Sequence, residues 1–322
     1  MPLDPRVRRF LDTLAAMNPP SALSLTVEER RGALAHLLSF CGQPEAVGAI
    51  ENLEVPGPEG PLALRVYSPT GSVPRTLLPG LIYFHGGGLV AGTLDTHDPI
   101  CRSLSNASGC RVLSVDYRLA PEHPFPAAVA DGCAATAWIG AHAAELGIER
   151  QRLGVCGDSA GATLAAVVCQ MVSATGQLRL ACQFLLCPIM DFAAESESRR
   201  NLAQGYLVDR DTLEHDLKHY LTSQADRADP RVSPLRAADV RHLPPTAIHT
   251  AEFDPLRDEG HAYAERLRSA GVQTIYRCHP GMIHLFYGMR GLIAYAGAAF
   301  AIMGADIRQL LALGEVGKGD TG

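Results

Sequence analysis

The feature that most constrains this fold is a regular alternation of short apolar runs with helix-length segments. Each run has four to eight residues, the usual length of a buried strand, and several end at glycines. The predicted strands are residues 81–84, 111–115, 152–156, 180–187, 246–250 and 273–278, and the predicted helices are 126–146, 160–173, 256–270 and 288–313. Strands that alternate with helices pair in parallel, and their sheet needs covering on both faces. We therefore predict an α/β fold with a mostly parallel central sheet flanked by helices.

Two regions depart from this alternation. Residues 1–48 have an amphipathic helical pattern, with a capping box at Thr26 and Glu29. Two further strands, 50–56 and 61–68, enclose a turn rich in proline and glycine. Residues 195–222 are polar and interrupt the later strands. The N-terminal arm and this insertion together indicate a helical cap over a site.

Composition narrows the classes of function. Apolar residues make up 47% of the 322 residues and charged residues 19%, which supports a full hydrophobic core. The formal net charge is −6 and basic residues are scattered, so we expect no nucleic-acid partner. No apolar run reaches the roughly 18–20 residues of a membrane span, and no secretory signal is evident. We expect a cytoplasmic protein whose nine cysteines are reduced and buried, without disulfides or a metal site.

The segment Gly157-Asp158-Ser159-Ala160-Gly161 has the G-x-S-x-G pattern of a nucleophilic serine. It lies between a predicted strand and a predicted helix, which is the context this motif requires. Such a sharp turn exposes the serine hydroxyl, and small flanking residues avoid collisions. The competing interpretation is a glycine-flanked turn with a capping serine. We predict that Ser159 is the nucleophile.

The segment His85-Gly86-Gly87-Gly88 follows the strand that ends at residue 84. Acyl transfer develops a negative oxygen, which needs preorganised N–H donors, and glycines let the backbone approach it closely. We predict an oxyanion hole from the N–H groups of Gly86, Gly87 and Ala160. His85 is expected to support the loop from beneath.

A serine nucleophile needs a histidine base, and in this architecture the base comes last in the chain. The two histidines in the loop after the last predicted strand are His279 and His284. We favour His284 because a proline-glycine turn follows His279, whereas His284 reaches further into the loop; His279 is the alternative. The other downstream histidines are His215 and His219 in the insertion, His249 inside a strand and therefore interpreted as a core residue, His261 in a helix, and His242.

The base in turn needs a carboxylate that holds its tautomer. Asp254 follows the strand 246–250 and is our candidate, although it could also serve as a helix cap. Asp191, after the preceding strand, is the rival acid. Asp258 and Glu259 are interpreted as charges in the first turn of a helix.

Together these motifs resemble the hormone-sensitive-lipase-like family of α/β-hydrolases, the bacterial carboxylesterases with the H-G-G-G motif. The matching segments are residues 85–88, 116–122, 157–161 and 254–260, together with His284. The resemblance implies the α/β-hydrolase fold, a Ser159–Asp254–His284 triad, and a helical cap. It also implies structural roles for Asp116, Tyr117 and Arg118.

The chain departs from the family pattern at four places. Glu252 replaces a usual glycine, Ala162-Thr163 replaces Gly-Asn, Leu285 replaces the glycine after the base, and residues 206–221 lack a tryptophan. The expected domain boundaries are a cap arm at 1–48, a catalytic domain at 49–194 and 223–314, a cap insertion at 195–222, and a disordered tail at 315–322.

The expected activity is hydrolysis of short- to medium-chain carboxylic esters, with acyl chains below about ten carbons. No cofactor or metal is expected, and the substrate is a small-molecule ester. The alternatives are an amidase, deacetylase or lactonase on the same machinery, or a non-catalytic ligand-binding protein. A homodimer is conceivable through the apolar run 293–303, which could instead pack on its own sheet.

Overall fold

The central sheet of the protein has eight strands. The computed structural model describes residues 1–73 and 76–316. The strands are β1 (Ala49–Gly57), β2 (Gly60–Ser68), β3 (Leu78–Phe84), β4 (Arg111–Val115), β5 (Ile148–Asp158), β6 (Gln183–Leu186), β7 (Thr246–Phe253) and β8 (Thr274–Ile283). Their order in the sheet is β1-β2-β4-β3-β5-β6-β7-β8; β2 is antiparallel to both of its neighbours, and all other pairs are parallel. The predicted mostly parallel α/β architecture is confirmed.

Helices cover both faces of this sheet. They are α1 (Pro5–Ala16), α2 (Val27–Leu38), α3 (Asp98–Ser108), α4 (Ala127–Ala141), α5 (Ala160–Thr175), α6 (Glu197–Asn201), α7 (Arg210–Tyr220), α8 (Arg257–Ser269) and α9 (Ala294–Val316). Short 3₁₀ turns are Ala22–Ser24, Ser39–Cys41, Gln224–Ala228, Pro234–Arg236 and Phe286–Gly288. The capping box at Thr26 and Glu29 starts α2 as predicted.

The alternation of side chains along each strand produces two apolar cores. In β3, Ile82 and Phe84 join the core under α4, α5 and α8, whereas Leu81 and Tyr83 join the core under α3 and α9. All four side chains are fully buried. Burial on both faces explains why this strand is a continuous apolar run in the sequence.

Several predicted boundaries differ from the structure. Helix α4 ends at Ala141 and not at residue 146, and β8 extends to Ile283, so His279 lies inside this strand and not in the loop after it. Strand β6 is shorter than residues 180–187, because Cys187 adopts a left-handed backbone (φ 47°) and pairing with β7 begins at Gln183. The last helix starts at Ala294 and not at residue 288, since Gly291 donates its N–H to Phe40 O of the N-terminal arm at 3.1 Å. The predicted tail 315–322 begins inside α9, and its residues 317–322 lie outside the described part.

The structure also bears on the expectations for the cysteines, for the apolar run 293–303 and for membrane-spanning helices. All nine cysteines are free thiols, but Cys278 is exposed and Cys133 half-buried, so the prediction that the cysteines are buried is wrong for these two. The apolar run 293–303 packs its buried side chains into the core under α9. Within residues 1–73 and 76–316, no helix combines the length and apolar character needed to cross a bilayer.

Candidate active site

Ser159 lies at the sharp turn between β5 and α5. Its backbone has φ 53° and ψ −127°, a conformation that side chains rarely adopt and that costs free energy. The flanking glycines explain how the turn closes. A Cβ on Gly161 would lie 2.1 Å from Phe84 O, and one on Gly157 would lie 2.4 Å from Gly161 O. The G-x-S-x-G pattern is therefore a steric requirement of this turn.

His284 and Asp254 reach the serine from the ends of two neighbouring strands. His284 follows β8, and its Nε2 is 3.0 Å from Ser159 Oγ. Its Nδ1 is 2.8 Å from Asp254 Oδ2, and Asp254 follows β7. The second oxygen of Asp254 accepts the Leu256 N–H at 2.9 Å. The three side chains thus form one hydrogen-bonded row, with Asp254 fully buried.

The rival candidates are engaged elsewhere. His279 is buried, its Nε2 is 3.0 Å from His249 Nδ1, and burial lowers its pKa to about 3. His249 is a core residue bonded to Asp306, as the sequence indicated. Asp191 accepts hydrogen bonds from Ala193 N–H at 2.8 Å and Arg236 Nε at 2.9 Å. Of these side chains, the described structure joins neither His279 nor Asp191 to Ser159 or His284.

The glycine loop requires one correction to the predicted oxyanion donors. The N–H of Gly86 donates to Asp158 Oδ1 at 2.9 Å, inside the fold. Gly86 was therefore wrongly assigned as an oxyanion donor. Gly87 and Gly88 line the cavity beside Ser159. Within the described residues, the N–H groups of Gly87, Gly88 and Ala160 have no protein acceptor. Sequence analysis missed Gly88, because three consecutive glycines do not indicate which N–H groups face outward.

Asp158, which directly precedes Ser159 in the G-x-S-x-G motif, holds the glycine loop 85–88 in place. This carboxylate is fully buried and accepts hydrogen bonds from the Tyr83 hydroxyl at 2.5 Å and the Tyr287 hydroxyl at 3.0 Å, besides the Gly86 N–H. Burial alone would raise the pKa of Asp158, but His97 and the two tyrosine hydroxyls lower it below the usual value. Asp158 therefore remains ionised at neutral pH.

His85 supports the same loop from beneath, as predicted. Its ring stacks on Tyr117 with 4.4 Å between centroids, and the Tyr117 hydroxyl donates to His85 O at 2.6 Å. Burial lowers the pKa of His85 to about 3, so it is neutral. Arg118 binds the buried Asp131 carboxylate. These contacts agree with the structural roles that the resemblance implies for Tyr117 and Arg118.

A cavity of about 940 Å³ opens above Ser159 and His284. Its walls come largely from the N-terminal arm and from the insertion, and they are mostly apolar. The apolar lining includes Phe10, Leu14, Met17, Leu34, Leu37, Phe40, Ile189, Phe192, Leu207, Leu213 and Leu217. A pocket of this size and character is typical of a site for a small organic ligand.

The departures from the family pattern have local explanations. The Thr163 hydroxyl donates to Ile189 O at 2.7 Å, tying α5 to the segment after β6. Leu285 has φ 62°, the region that favours glycine, yet its side chain is buried. Glu252 accepts the Gly281 N–H at 2.7 Å and also binds the N-terminal ammonium of Met1. Burial alone would raise the pKa of Glu252, but these bonds lower it.

Two side chains of the triad lie close to a cysteine, and the three are of types that can bind a metal ion. The ligand atoms of Cys187, Asp254 and His284 lie within 4.8 Å of one another. Burial and the neighbouring Asp254 carboxylate raise the pKa of the Cys187 thiol well above its usual value. Asp254 and His284, the other two members of this group, already bind each other in the triad row, and His284 also binds Ser159.

The sequence of this chain is similar to a known protein family and to several named proteins. A family model described as alpha/beta hydrolase fold matches residues 81–288. An arylesterase of Saccharolobus solfataricus is 36% identical over 289 residues, covering 89% of this chain and 93% of its own. The carboxylic ester hydrolase LipN of Mycobacterium tuberculosis is 40% identical over 264 residues, covering 79% of this chain and 69% of its own.

The fold of this chain is also similar to solved structures of hydrolases. LAE6, an alpha/beta hydrolase enzyme from the metagenome of Lake Arreo, has a TM-score of 0.92 at 39% identity and covers 96% of this chain and 99% of its own. A hyperthermophilic esterase from Pyrobaculum calidifontis has a TM-score of 0.90 at 35% identity, with the same coverage. At these identities the likeness extends to sequence as well as to fold.

Proposed function

The chain belongs to the hormone-sensitive-lipase-like family of α/β hydrolases, and we propose that it is a carboxylic ester hydrolase with Ser159 as its nucleophile. The observation that carries this proposal is the row from Ser159 Oγ to His284 Nε2 (3.0 Å) and from His284 Nδ1 to Asp254 Oδ2 (2.8 Å). The row lies at the base of an apolar cavity large enough for a small ester.

The mechanism is set by this order of groups. Ser159 Oγ attacks the ester carbonyl carbon while His284 Nε2 accepts the hydroxyl proton. Asp254 holds the Nδ1–H tautomer and stabilises the imidazolium that forms. His284 then protonates the leaving alcohol, which leaves an acyl-enzyme. Water, deprotonated by His284, attacks the acyl group and releases the carboxylic acid.

The negative oxygen of each tetrahedral intermediate needs donors that are free in the resting enzyme. Gly87, Gly88 and Ala160 have N–H groups without protein acceptors within the described residues, and Ala160 is the first residue of helix α5. Each such donor contributes about 2.7–4 kcal/mol to transition-state stabilisation in comparable sites. We assign the oxyanion hole to these three groups.

The arm 1–48 and the insertion 195–222 act as the cap in this proposal, because both contribute apolar walls to the cavity. Acyl chains below about ten carbons remain the predicted range, and the cytoplasm remains the predicted location. Homodimer formation also remains a prediction. The triad by itself does not distinguish an esterase from an amidase, deacetylase or lactonase, so the leaving group must be tested directly.

The decisive experiment compares the wild type with Ser159→Ala on p-nitrophenyl esters of graded acyl length and on matched anilides. We expect ester turnover in the wild type, much slower anilide turnover, and none in the variant, with unchanged thermal unfolding. A fluorophosphonate probe should label the wild type alone. Ester hydrolysis retained by purified Ser159→Ala would refute the assignment.

A further inference from the structure

An ion pair between the arm and the insertion lies inside the cavity. Arg30 of α2 binds Asp216 of α7 in a two-point contact, with Nε 3.0 Å from Oδ1 and Nη2 2.7 Å from Oδ2. The two side chains are only 12% and 8% exposed, and both line the cavity. A pair this enclosed interacts more strongly than one on the surface, and removal of one partner leaves a costly unpaired charge.

The Asp216 carboxylate also touches the glycine loop. A Cβ built on Gly88 would lie 1.9 Å from Asp216 Oδ2, so this oxygen packs directly on the backbone of Gly88. Helix α2 approaches the same loop, since a Cβ on Gly87 would lie 2.9 Å from a methyl of Leu34. The ion pair thus lies beside Gly88, one of the N–H donors assigned to the oxyanion hole.

The two oxygens of Asp216 have different partners. Oδ1 is shared between Arg30 Nε and His215 Nδ1, which is 3.1 Å away. Oδ2, the oxygen that faces Gly88, is held by Arg30 Nη2. Without the guanidinium, the oxygen beside the oxyanion hole would lose the cation that binds it, and only His215, on the other oxygen, would remain as a partner.

We propose that Arg30 is a positioning residue for ester hydrolysis, which neutralises Asp216 beside Gly88 so that negative charge can develop on the substrate oxygen. The inference rests on the proposed function. An unpaired carboxylate close to a developing oxyanion, with little water between them, opposes the charge that catalysis must stabilise. The effect belongs to the transition state, because the ester carbonyl carries no full charge in the ground state.

This role predicts an asymmetry that a purely mechanical link does not. Arg30→Met leaves the negative charge, whereas Asp216→Asn removes it and leaves a cation nearby. The double variant removes both charges. A link that merely fastens the arm to the insertion would be broken to the same extent by either single substitution, and the double variant would not recover.

The test measures kcat and KM on one p-nitrophenyl ester for the wild type, Arg30→Met, Asp216→Asn and the double variant. We expect kcat to fall about 30-fold in Arg30→Met, to stay within about threefold of wild type in Asp216→Asn, and to recover at least about fivefold in the double variant, with KM little changed. Affinity for 2-phenylethylboronic acid, which becomes a tetrahedral anion on a serine, should fall in parallel with kcat.

Arg227→Gln is the matched control, since Arg227 makes a two-point ion pair with Glu214 on the same helix α7 and does not line the cavity. It should leave kcat unchanged. Equal losses in Arg30→Met and Asp216→Asn, or no recovery in the double variant, would overturn the inference. If Arg30→Met does not fold, Arg30→Gln takes its place, and the kcat values of the variants must then rank in the same order. An inactive wild type would refute the proposed function instead, whereas an active wild type matched by Arg30→Met would refute only the role of Arg30.

Discussion

The N–H of Gly86 donates to Asp158 Oδ1 at 2.9 Å, and this bond joins the glycine loop to the residue that precedes the nucleophile. The loop after β3 and the turn after β5 are therefore held in register by one buried carboxylate. Because β3 and β5 are adjacent parallel strands, their carboxyl ends meet, and Asp158 can span the gap between them. The relationship gives Asp158 a role in both stability and activity.

Asp158→Asn should destabilise the fold by about 2 kcal/mol, because a charged acceptor for three donors becomes a neutral one. It should also lower kcat roughly tenfold by loosening the glycine loop. Urea denaturation and steady-state kinetics measure the two effects. Asp239→Asn, at an exposed site, is the control and should change stability by less than about 0.5 kcal/mol. An unchanged unfolding midpoint in Asp158→Asn would contradict the prediction.

Asp254→Asn should lower kcat by roughly 10⁴-fold while the protein stays folded, since the amide cannot hold the Nδ1–H tautomer of His284 in the same way. Asp191→Asn should retain activity within about tenfold, because Asp191 contacts Arg236 and backbone N–H groups and not the histidine. Active-site titration corrects both rates for the folded fraction. Equal losses in the two variants would show that the acid has been misassigned.

Gly161→Ala should cost about 3 kcal/mol or more of folding free energy, because the new Cβ would lie 2.1 Å from Phe84 O and 2.3 Å from His85 O. Both contacts are backbone atoms that cannot rotate away. Gly32→Ala is the opposite case: this exposed glycine in α2 has nothing within 4 Å of a new Cβ, so the change should stabilise by about 0.5–1 kcal/mol. Chemical denaturation of both variants measures the free energy of unfolding, which should fall in Gly161→Ala and rise in Gly32→Ala.

His215 should make stability depend on pH near neutrality. Its Nδ1 faces Asp216 Oδ1 and its Nε2 faces Leu25 O, each at 3.1 Å, so both nitrogens donate only in the protonated ring. The bond to Asp216 raises the pKa of His215 above its usual value of 6.5, although burial opposes the shift. A raised folded-state pKa adds stability that is complete below the unfolded pKa and lost as pH rises through the folded one.

The wild type should therefore exceed His215→Gln in stability most clearly near pH 5.5, and the difference should shrink as pH rises past 7. Denaturation midpoints of both proteins across this range measure it. His261→Gln, on the exposed side of α8, serves as the control: its contact with Glu265 is long and exposed to solvent, so the dependence of stability on pH should differ less from that of the wild type. A difference that grows with pH would have the wrong sign and refute the argument.

Sequence patterns predicted most of the features that local rules govern. The serine turn, the glycine loop and the strand–helix alternation each depend on a few neighbouring residues, so periodicity and spacing were sufficient to place them. Errors arose where distant segments compete for the same backbone groups. Gly291 bonds to Phe40 instead of joining α9, and Cys187 leaves the strand that its apolar neighbours favoured.

The sequence alone determined the chemical inventory and its order: a strand, a glycine loop, a serine turn, then an acid and a base at the ends of later strands. Which donor faces the cavity, and which carboxylate touches which loop, was decided by tertiary structure. Gly86, Gly87 and Gly88 are chemically identical, and they differ in their distant neighbours: Asp158 binds Gly86, and Asp216 packs on Gly88. Long-range contacts of this kind leave no local pattern, because the partners are far apart in the chain and are selected by packing.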